Sequence, residues 1–186
     1  MKIRNRVIES VNNLAKQPPV GKLIEQLQSF MDAHIYPNEE LYAKQLGSLE
    51  NRFSTVPLME ELKTKARELG LWNLWMPKHH GGLSNEDYCA LAEMMGRVLW
   101  SPEVFNCNAP DTGNMEVFLK YGTEAQKAQW LEPLLAGEIR SSYCMTEPNV
   151  ASSDATNIQT SLVRDGNDFL INGRKWFVTN APYERT

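Results

Sequence analysis

The sequence predicts an α+β protein: an N-terminal all-α helical domain followed by the first strands of a β-barrel or β-sheet domain. Three observations carry this expectation. Apolar residues recur at helical spacing, with capping residues beside them, as far as about residue 136. After Gly137 the runs become short, are bounded by Gly, Asn and Asp, and are richer in strand formers. The two textures follow one another without alternating, which argues for segregated helices and strands rather than βαβ units. The expected domains are therefore 1–136, helical, and 137–186, an incomplete β domain.

Taken in order, residues 3 to 15 carry Ile3, Val7, Val11 and Leu14 at helical spacing, closed by Pro18-Pro19. A second helix is predicted from Val20 towards Ile35, with Leu23, Leu27, Phe30 and Met31 on one face. A third spans Pro57 to Leu69, lined by Met59, Leu62, Ala66 and Leu69, with Gly70 as its C-terminal cap. The apolar run from Leu71 to Pro77 breaks at Lys78-His79-His80-Gly81-Gly82, where the paired glycines predict a turn needing positive φ. Ser84 opens a further helix, with Asp87 as capping-box partner and Leu83 against Tyr88 as a staple. Its inner face is predicted to be Tyr88, Leu91, Ala92, Met95, Val98 and Leu99, with Met94 and Met95 in the core. Thr123 and Gln126 form a second capping box, opening a helix through Trp130 that Pro133 kinks or ends.

Strands are predicted over Ser141 to Thr146, Ile158 to Val163, Asp168 to Ile171 and Lys175 to Thr179. Asp165-Gly166-Asn167 reads as one hairpin turn and Asn172-Gly173 as a second. So small a sheet leaves an unpaired edge and an uncovered face, so the sequence is expected to be a piece of something longer.

Composition narrows the function classes. A net charge of −4 leaves no electrostatic footprint for nucleic acid. No apolar run approaches the roughly 20 residues that cross a bilayer, and the basic start lacks a signal-peptide core. Cys89, Cys107 and Cys144 are odd in number and widely spaced, which fits neither a disulfide framework nor a CxxC metal site. A soluble protein of the cytoplasm or an organelle matrix is the expectation. His79 and His80 are adjacent, without a supporting cysteine or carboxylate cluster, and read as a solvated loop rather than a metal site. Glu60 to Glu68 reads as a solvated helix face.

The most informative stretch is Tyr143-Cys-Met-Thr-Glu-Pro-Asn-Val-Ala-Ser-Ser-Asp154, followed by Ile171-Asn-Gly-Arg-Lys-Trp-Phe-Val-Thr-Asn180. Polar and aromatic groups set into two short extended segments suit a wall against a flat, polar, ring-bearing cofactor. Four motifs, in order, resemble the acyl-CoA dehydrogenase family. Gly70-Leu-Trp with Pro77 and Gly81-Gly82-Leu83 is similar to its early loop. Tyr121 to Lys127 with Leu131 to Glu138 is similar to its "GTEEQK…LP.L..GE" segment. Tyr143 to Asp154 resembles its "TEP" flavin signature, and Asn172 to Asn180 its "NG.K.WITN" strand.

The resemblance implies FAD as cofactor, an acyl-CoA substrate and an electron-transfer flavoprotein as acceptor. It also implies a trans-2-enoyl-CoA product and a homo-oligomer. It implies that Tyr143, Met145 and Thr146 line the flavin, and that Phe177 and Thr179 cover its other side. Ser153 is implied to meet the FAD pyrophosphate beside the acyl-CoA. Two departures stand out: the loop Asn149-Val-Ala-Ser-Ser153 is longer than the common pattern, and Phe177 stands where tryptophan is common. The loop resembles that of the subgroup acting on long-chain, branched or hydroxylated acyl groups, and leaves Ser152 as an alternative to Ser153.

The family's catalytic base lies in a C-terminal helical bundle that has no counterpart here, so no catalytic residue is assigned and the chain alone is expected to be inactive. Glu147 belongs to the flavin signature and is not given that role. Alternation points Cys144 away from Tyr143 and Met145, as a small buried filler, and makes one of Trp176 and Phe177 a core residue. Taken singly, Thr146, Ser153 and Thr179 are ordinary strand-edge hydroxyls. Two other readings stay open: a non-catalytic flavin- or partner-binding fragment, and a flavin oxidase or monooxygenase on the same scaffold.

Overall fold

The computed structural model describes residues 19–183 and 185–186. The helix expected over residues 3 to 15 lies outside the described residues. Helix α1 (Val20–Phe30) buries Leu23, Leu27 and Phe30, as its spacing predicts. It runs on through a π turn, Met31–Ile35, that sends Met31 and Ile35 into the same core. Helix α2 (Glu39–Ser48) has no counterpart among the predicted elements, because it buries no residue fully and carries no apolar stripe. What holds it is tertiary: Tyr42 stacks on Trp100 with ring centroids 4.4 Å apart.

Helix α3 (Pro57–Glu68) starts with a proline in its first turn and buries Leu58, Met59, Leu62 and Ala66. Leu69 was expected inward but is half exposed, because the backbone leaves helical geometry at that residue. Gly70 follows at φ +72°, the left-handed cap that the sequence predicts. At the paired glycines only Gly81 takes a positive φ, +86°. Gly82 is needed for space instead: a Cβ there would lie 1.9 Å from the Met76 carbonyl oxygen. Helix α4 (Asn85–Met95) is capped by Ser84, whose hydroxyl accepts from the Asp87 amide at 3.1 Å and donates to the Asp87 carboxylate at 2.6 Å. Leu91, Met94, Met95 and Val98 are buried, but Leu99 is 97% exposed, since the helix ends before it and the 3.6-residue period no longer applies.

After the short α5 (Ser101–Val104), helix α6 (Asp111–Tyr121) is a second unpredicted element, burying Asp111, Met115 and Leu119. The Thr123/Gln126 capping box forms as expected and opens α7 (Glu124–Gln126). A π turn, Lys127–Leu131, joins it to α8 (Glu132–Ala136), which has Pro133 in its first turn. The proline has no N–H to offer the preceding turn, and the extra residue of a π turn accommodates that loss.

The C-terminal carbonyls of α8, which have no helical partner, are taken by side chains from the end of α3 and from two distant loops. Trp72 Nε1 and Asn73 Nδ2 donate to the Leu135 carbonyl at 2.8 and 3.0 Å. Asn106 Nδ2 donates to Leu134 at 3.0 Å, and Arg67 to Ala136 at 2.7 Å. Asn73 and Asn106 both adopt positive φ, a conformation asparagine tolerates better than most residues.

Beyond Gly137 the expected β domain is reduced to one hairpin. Strands β1 (Ser161–Asp165) and β2 (Asp168–Asn172) pair antiparallel around Gly166-Asn167, with Gly166 at φ +61°. Both strands are solvent-exposed throughout. Ser141 to Thr146 and Lys175 to Thr179 do not form strands, because neither meets a ladder partner among the described residues. Asn172-Gly173 is not a turn; Gly173 is demanded by close approach, since a Cβ there would lie 2.1 Å from Thr160 Oγ1.

One buried charge cluster fastens this extended part to the helices. The guanidinium of Arg140 pairs with Asp111 at 2.5 Å and with Glu103 at 2.7 Å. Asp111 also accepts from the backbone amide and the hydroxyl of Ser141, at 2.7 and 2.6 Å. Glu103 in turn holds Lys63 at 2.9 Å. Burial would push the Glu103 carboxyl up, but Lys63 and Arg140 outweigh it and hold it below the usual range. Asp111→Ala leaves Arg140 short of a partner in a dry seam, so urea unfolding is expected to show a loss of about 3 kcal/mol; an unchanged midpoint would contradict the seam's importance.

Candidate functional site

Downstream of the seam, four donor groups from two other pieces of chain converge on one carboxylate. Glu147 is 5% exposed. Its oxygens accept from the Gln159 amide at 2.8 Å, the Thr160 amide at 2.9 Å and the Thr160 hydroxyl at 2.6 Å. The ammonium of Lys175 completes the set at 2.9 Å and also donates to the Met145 carbonyl at 2.9 Å. Beside it, the Trp176 amide donates to the Thr146 carbonyl at 3.1 Å. The two segments singled out in the sequence therefore lie side by side, although they form no ladder.

This bonding decides what Glu147 can do. The Thr160 hydroxyl, then the Gln159 amide and Lys175, hold its carboxyl down to about 2. A carboxylate so acidic and so fully engaged is a poor proton acceptor near neutral pH.

The six candidate residues are disposed differently. Tyr143 and Ser153 are exposed, Met145 and Thr146 half-buried, and Phe177 and Thr179 exposed. The hydroxyls of Thr146, Ser153 and Thr179 make no hydrogen bond among the described residues, whereas those of Thr156 and Thr160 are engaged. Ser152 is buried; its Oγ accepts from the Glu147 amide at 2.7 Å and lies 3.2 Å from the Val150 carbonyl. Ser152 is thus part of the loop's framework, and Ser153 is the serine left free.

Two orientation expectations are corrected. Cys144 is exposed rather than a buried filler, because its segment has no neighbouring strand to cover that side. Neither Trp176 nor Phe177 is a core residue: the rings meet at 4.8 Å, with Trp176 44% and Phe177 82% exposed. Phe177 sits at φ +49°, which breaks the strict alternation of a strand. Sequence reasoning missed Lys175; a basic residue two positions before Phe177, matched by an acidic residue beside Thr146, was the available signal. The His79 and His80 rings lie 4.4 Å apart on their turn, and no group of three or more metal-ligating side chains occurs among the described residues. No described helix is long and apolar enough to cross a membrane. A separate cleft of about 600 Å³, lined by Val117, Phe118, Trp130, Leu134 and Ile139, touches none of the six candidates.

Exposed aromatic rings and three unengaged hydroxyls, carried on the same short stretches of chain, are groups that fit a flat, polar ring system such as a flavin. Comparison with known proteins gives the family. The profile of the acyl-CoA dehydrogenase N-terminal domain matches residues 21–138, and that of the family's middle domain matches residues 142–186. The chain belongs to the acyl-CoA dehydrogenase family. It is 52% identical over 164 residues to acyl-CoA dehydrogenase family member 11 of Gallus gallus, covering 86% of this chain and 21% of that protein. Identity to Mycobacterium tuberculosis FadE2 is 50% over 167 residues, covering 86% of this chain and 40% of that one. A Mycobacterium abscessus structure assigned to the same enzymes superposes with a TM-score of 0.79 at 48% identity. That alignment covers 87% of this chain and 42% of the other. This chain therefore spans less than half the length of each of these relatives.

The engagement of Glu147 carries a pH signature. A carboxyl held lower in the folded state than its ordinary value near 4.3 stabilises the fold above that value, and the contribution is lost as pH falls towards about 2. Glu103 and Asp154, also held low, contribute in the same direction. Glu147→Gln is therefore expected to flatten the fall in melting temperature between about pH 4.5 and 2.5 relative to wild type. Parallel curves for the two proteins would count against the assignment.

Proposed function

We propose that this chain supplies the helical part (1–136) and the flavin-facing part (137–186) of an FAD-dependent acyl-CoA dehydrogenase. The reaction is oxidation of an acyl-CoA thioester to a trans-2-enoyl-CoA, with an electron-transfer flavoprotein as acceptor. The observation that carries the reading is the juxtaposition of Met145-Thr146 with Trp176-Phe177, joined by the Trp176 amide to the Thr146 carbonyl, with free rings and hydroxyls to either side.

FAD, when bound, supplies the acceptor for the hydride from the β-carbon. Tyr143, Met145 and Phe177 would give its ring apolar and aromatic surface and keep water from it. Thr146 and Thr179 would offer hydroxyl donors to its polar edge, where hydrogen bonds tune how readily a flavin accepts electrons. Ser153 would meet the pyrophosphate and border the acyl-CoA; the engagement of Ser152 within the loop supports choosing Ser153. Removal of the α-proton is assigned to no residue here, since Glu147 is saturated with donors. The working enzyme is proposed to be a homo-oligomer.

The test is a titration of FAD into the 186-residue protein, followed by flavin fluorescence and the visible absorption band. Saturable binding with a perturbed band is expected, and Phe177→Ala should weaken it by about tenfold, the scale of roughly 1–1.5 kcal/mol for a lost aromatic contact. Absence of saturable binding would refute the flavin reading for this chain. In the longest product its gene encodes, loaded with FAD, anaerobic acyl-CoA should bleach the band. Bleaching that oxygen reverses as fast as an electron-transfer flavoprotein would instead indicate an oxidase.

A further inference from the structure

We propose that Glu147 and Lys175 are positioning residues for the flavin-facing wall, an ion pair that sets Met145-Thr146 and Trp176-Phe177 against one another. The cofactor half of this proposal rests on the flavin reading above; the positioning half does not.

The argument begins with what is missing from the wall. Neither segment belongs to a ladder, and among the described residues one backbone hydrogen bond, from Trp176 to Thr146, joins them directly. At the far end of the segments Asn180 Nδ2 also donates to the Ser141 carbonyl at 3.1 Å, so they are fixed at two points and can still pivot about the line between them. Lys175 removes that freedom by donating from one ammonium both to the Met145 carbonyl and to Glu147, each at 2.9 Å. Glu147 extends the constraint to Gln159 and Thr160 at the start of the hairpin. Thr160 in turn packs so closely on Gly173 that no side chain fits there, which tethers the far end of β2.

Glu147 is buried and Lys175 half-buried, whereas the neighbouring Trp176 and Phe177 rings are 44% and 82% exposed. The pair thus acts through the backbone of Met145 and Trp176 and does not itself touch a ligand. Stability alone is a weak reason to bury an ion pair, because apolar replacements of similar size often do as well, whereas fixing register is its best-attested use. A ligand-facing wall needs its groups held to within about half an ångström by residues behind it, and this pair is so placed.

Lys175→Met and Lys175→Arg decide the matter, read by amide hydrogen exchange at Trp176 and by FAD titration of the full 186-residue protein. Lys175→Met should raise exchange at the Trp176 amide and weaken FAD binding, each by about tenfold, the lower end of what outer-shell partners contribute at metal sites. Protection of α1 and α4 amides should be unchanged. Lys175→Arg, which can still donate to both Glu147 and the Met145 carbonyl, should recover most of both effects, which a general loss of stability would not do. If Lys175→Met leaves Trp176 exchange at the wild-type rate, the positioning role is overturned whether or not FAD binds. If exchange rises but wild type never perturbs the flavin band, the flavin reading falls and the cofactor half of this proposal falls with it. Wild-type FAD affinity in Lys175→Met would overturn the cofactor half alone.

Discussion

The buried pairing of Arg140 with Asp111 and Glu103 is the interaction from which the rest hangs. Up to Ala136 the chain is held by helix packing, and the carbonyls that end α8 are satisfied by Trp72, Asn73, Asn106 and Arg67. Past that point the described residues form a single two-stranded hairpin and no larger sheet. The extended segment is anchored because Asp111, at the start of α6, accepts from Arg140 and from both polar groups of Ser141. Two charges out of water cost several kcal/mol each, a cost repaid only by geometry this complete. The direction in which residues 141 to 147 leave the helices, and so the placement of every candidate ligand group, follows from that seam.

The site itself shows a division of labour among neighbouring polar residues. Glu147, Ser152, Asp154, Thr160 and Lys175 spend their hydrogen-bonding capacity on the protein. Thr146, Ser153 and Thr179, a few positions away, do not. Unengaged hydroxyls next to exposed rings on an otherwise well-bonded framework are what a preorganised binding surface requires. The geometry separates residues bonded into the framework from residues whose polar groups stay unengaged.

Helices were legible wherever a strong apolar stripe coincided with an end signal. α1, α3 and α4 satisfy both conditions, and the Thr123/Gln126 box marked its helix to the residue. α2 was illegible because it has no buried stripe, and α6 because its inward face begins with a charged residue, Asp111. Leu69 and Leu99 show the limit of periodicity: each continues the pattern of a helix that has already ended. The strand signals between Gly137 and Thr179 marked a real change of texture, yet only the hairpin needs nothing beyond its own two segments to form.

By itself, the sequence determined the α+β order, the caps, the Gly166-Asn167 turn and the family motifs. These depend on local spacing and on residue chemistry that short segments carry with them. Only the tertiary structure decided that Glu147 is a buried hub rather than a free acid, that Ser152 is engaged and Ser153 is not, and that Trp176 and Phe177 both face outward. Each of those outcomes depends on which distant donor reaches a group first: Thr160 and Lys175 for Glu147, and the returning loop for Ser152. Contacts between residues that distant are set by packing, which no local pattern encodes.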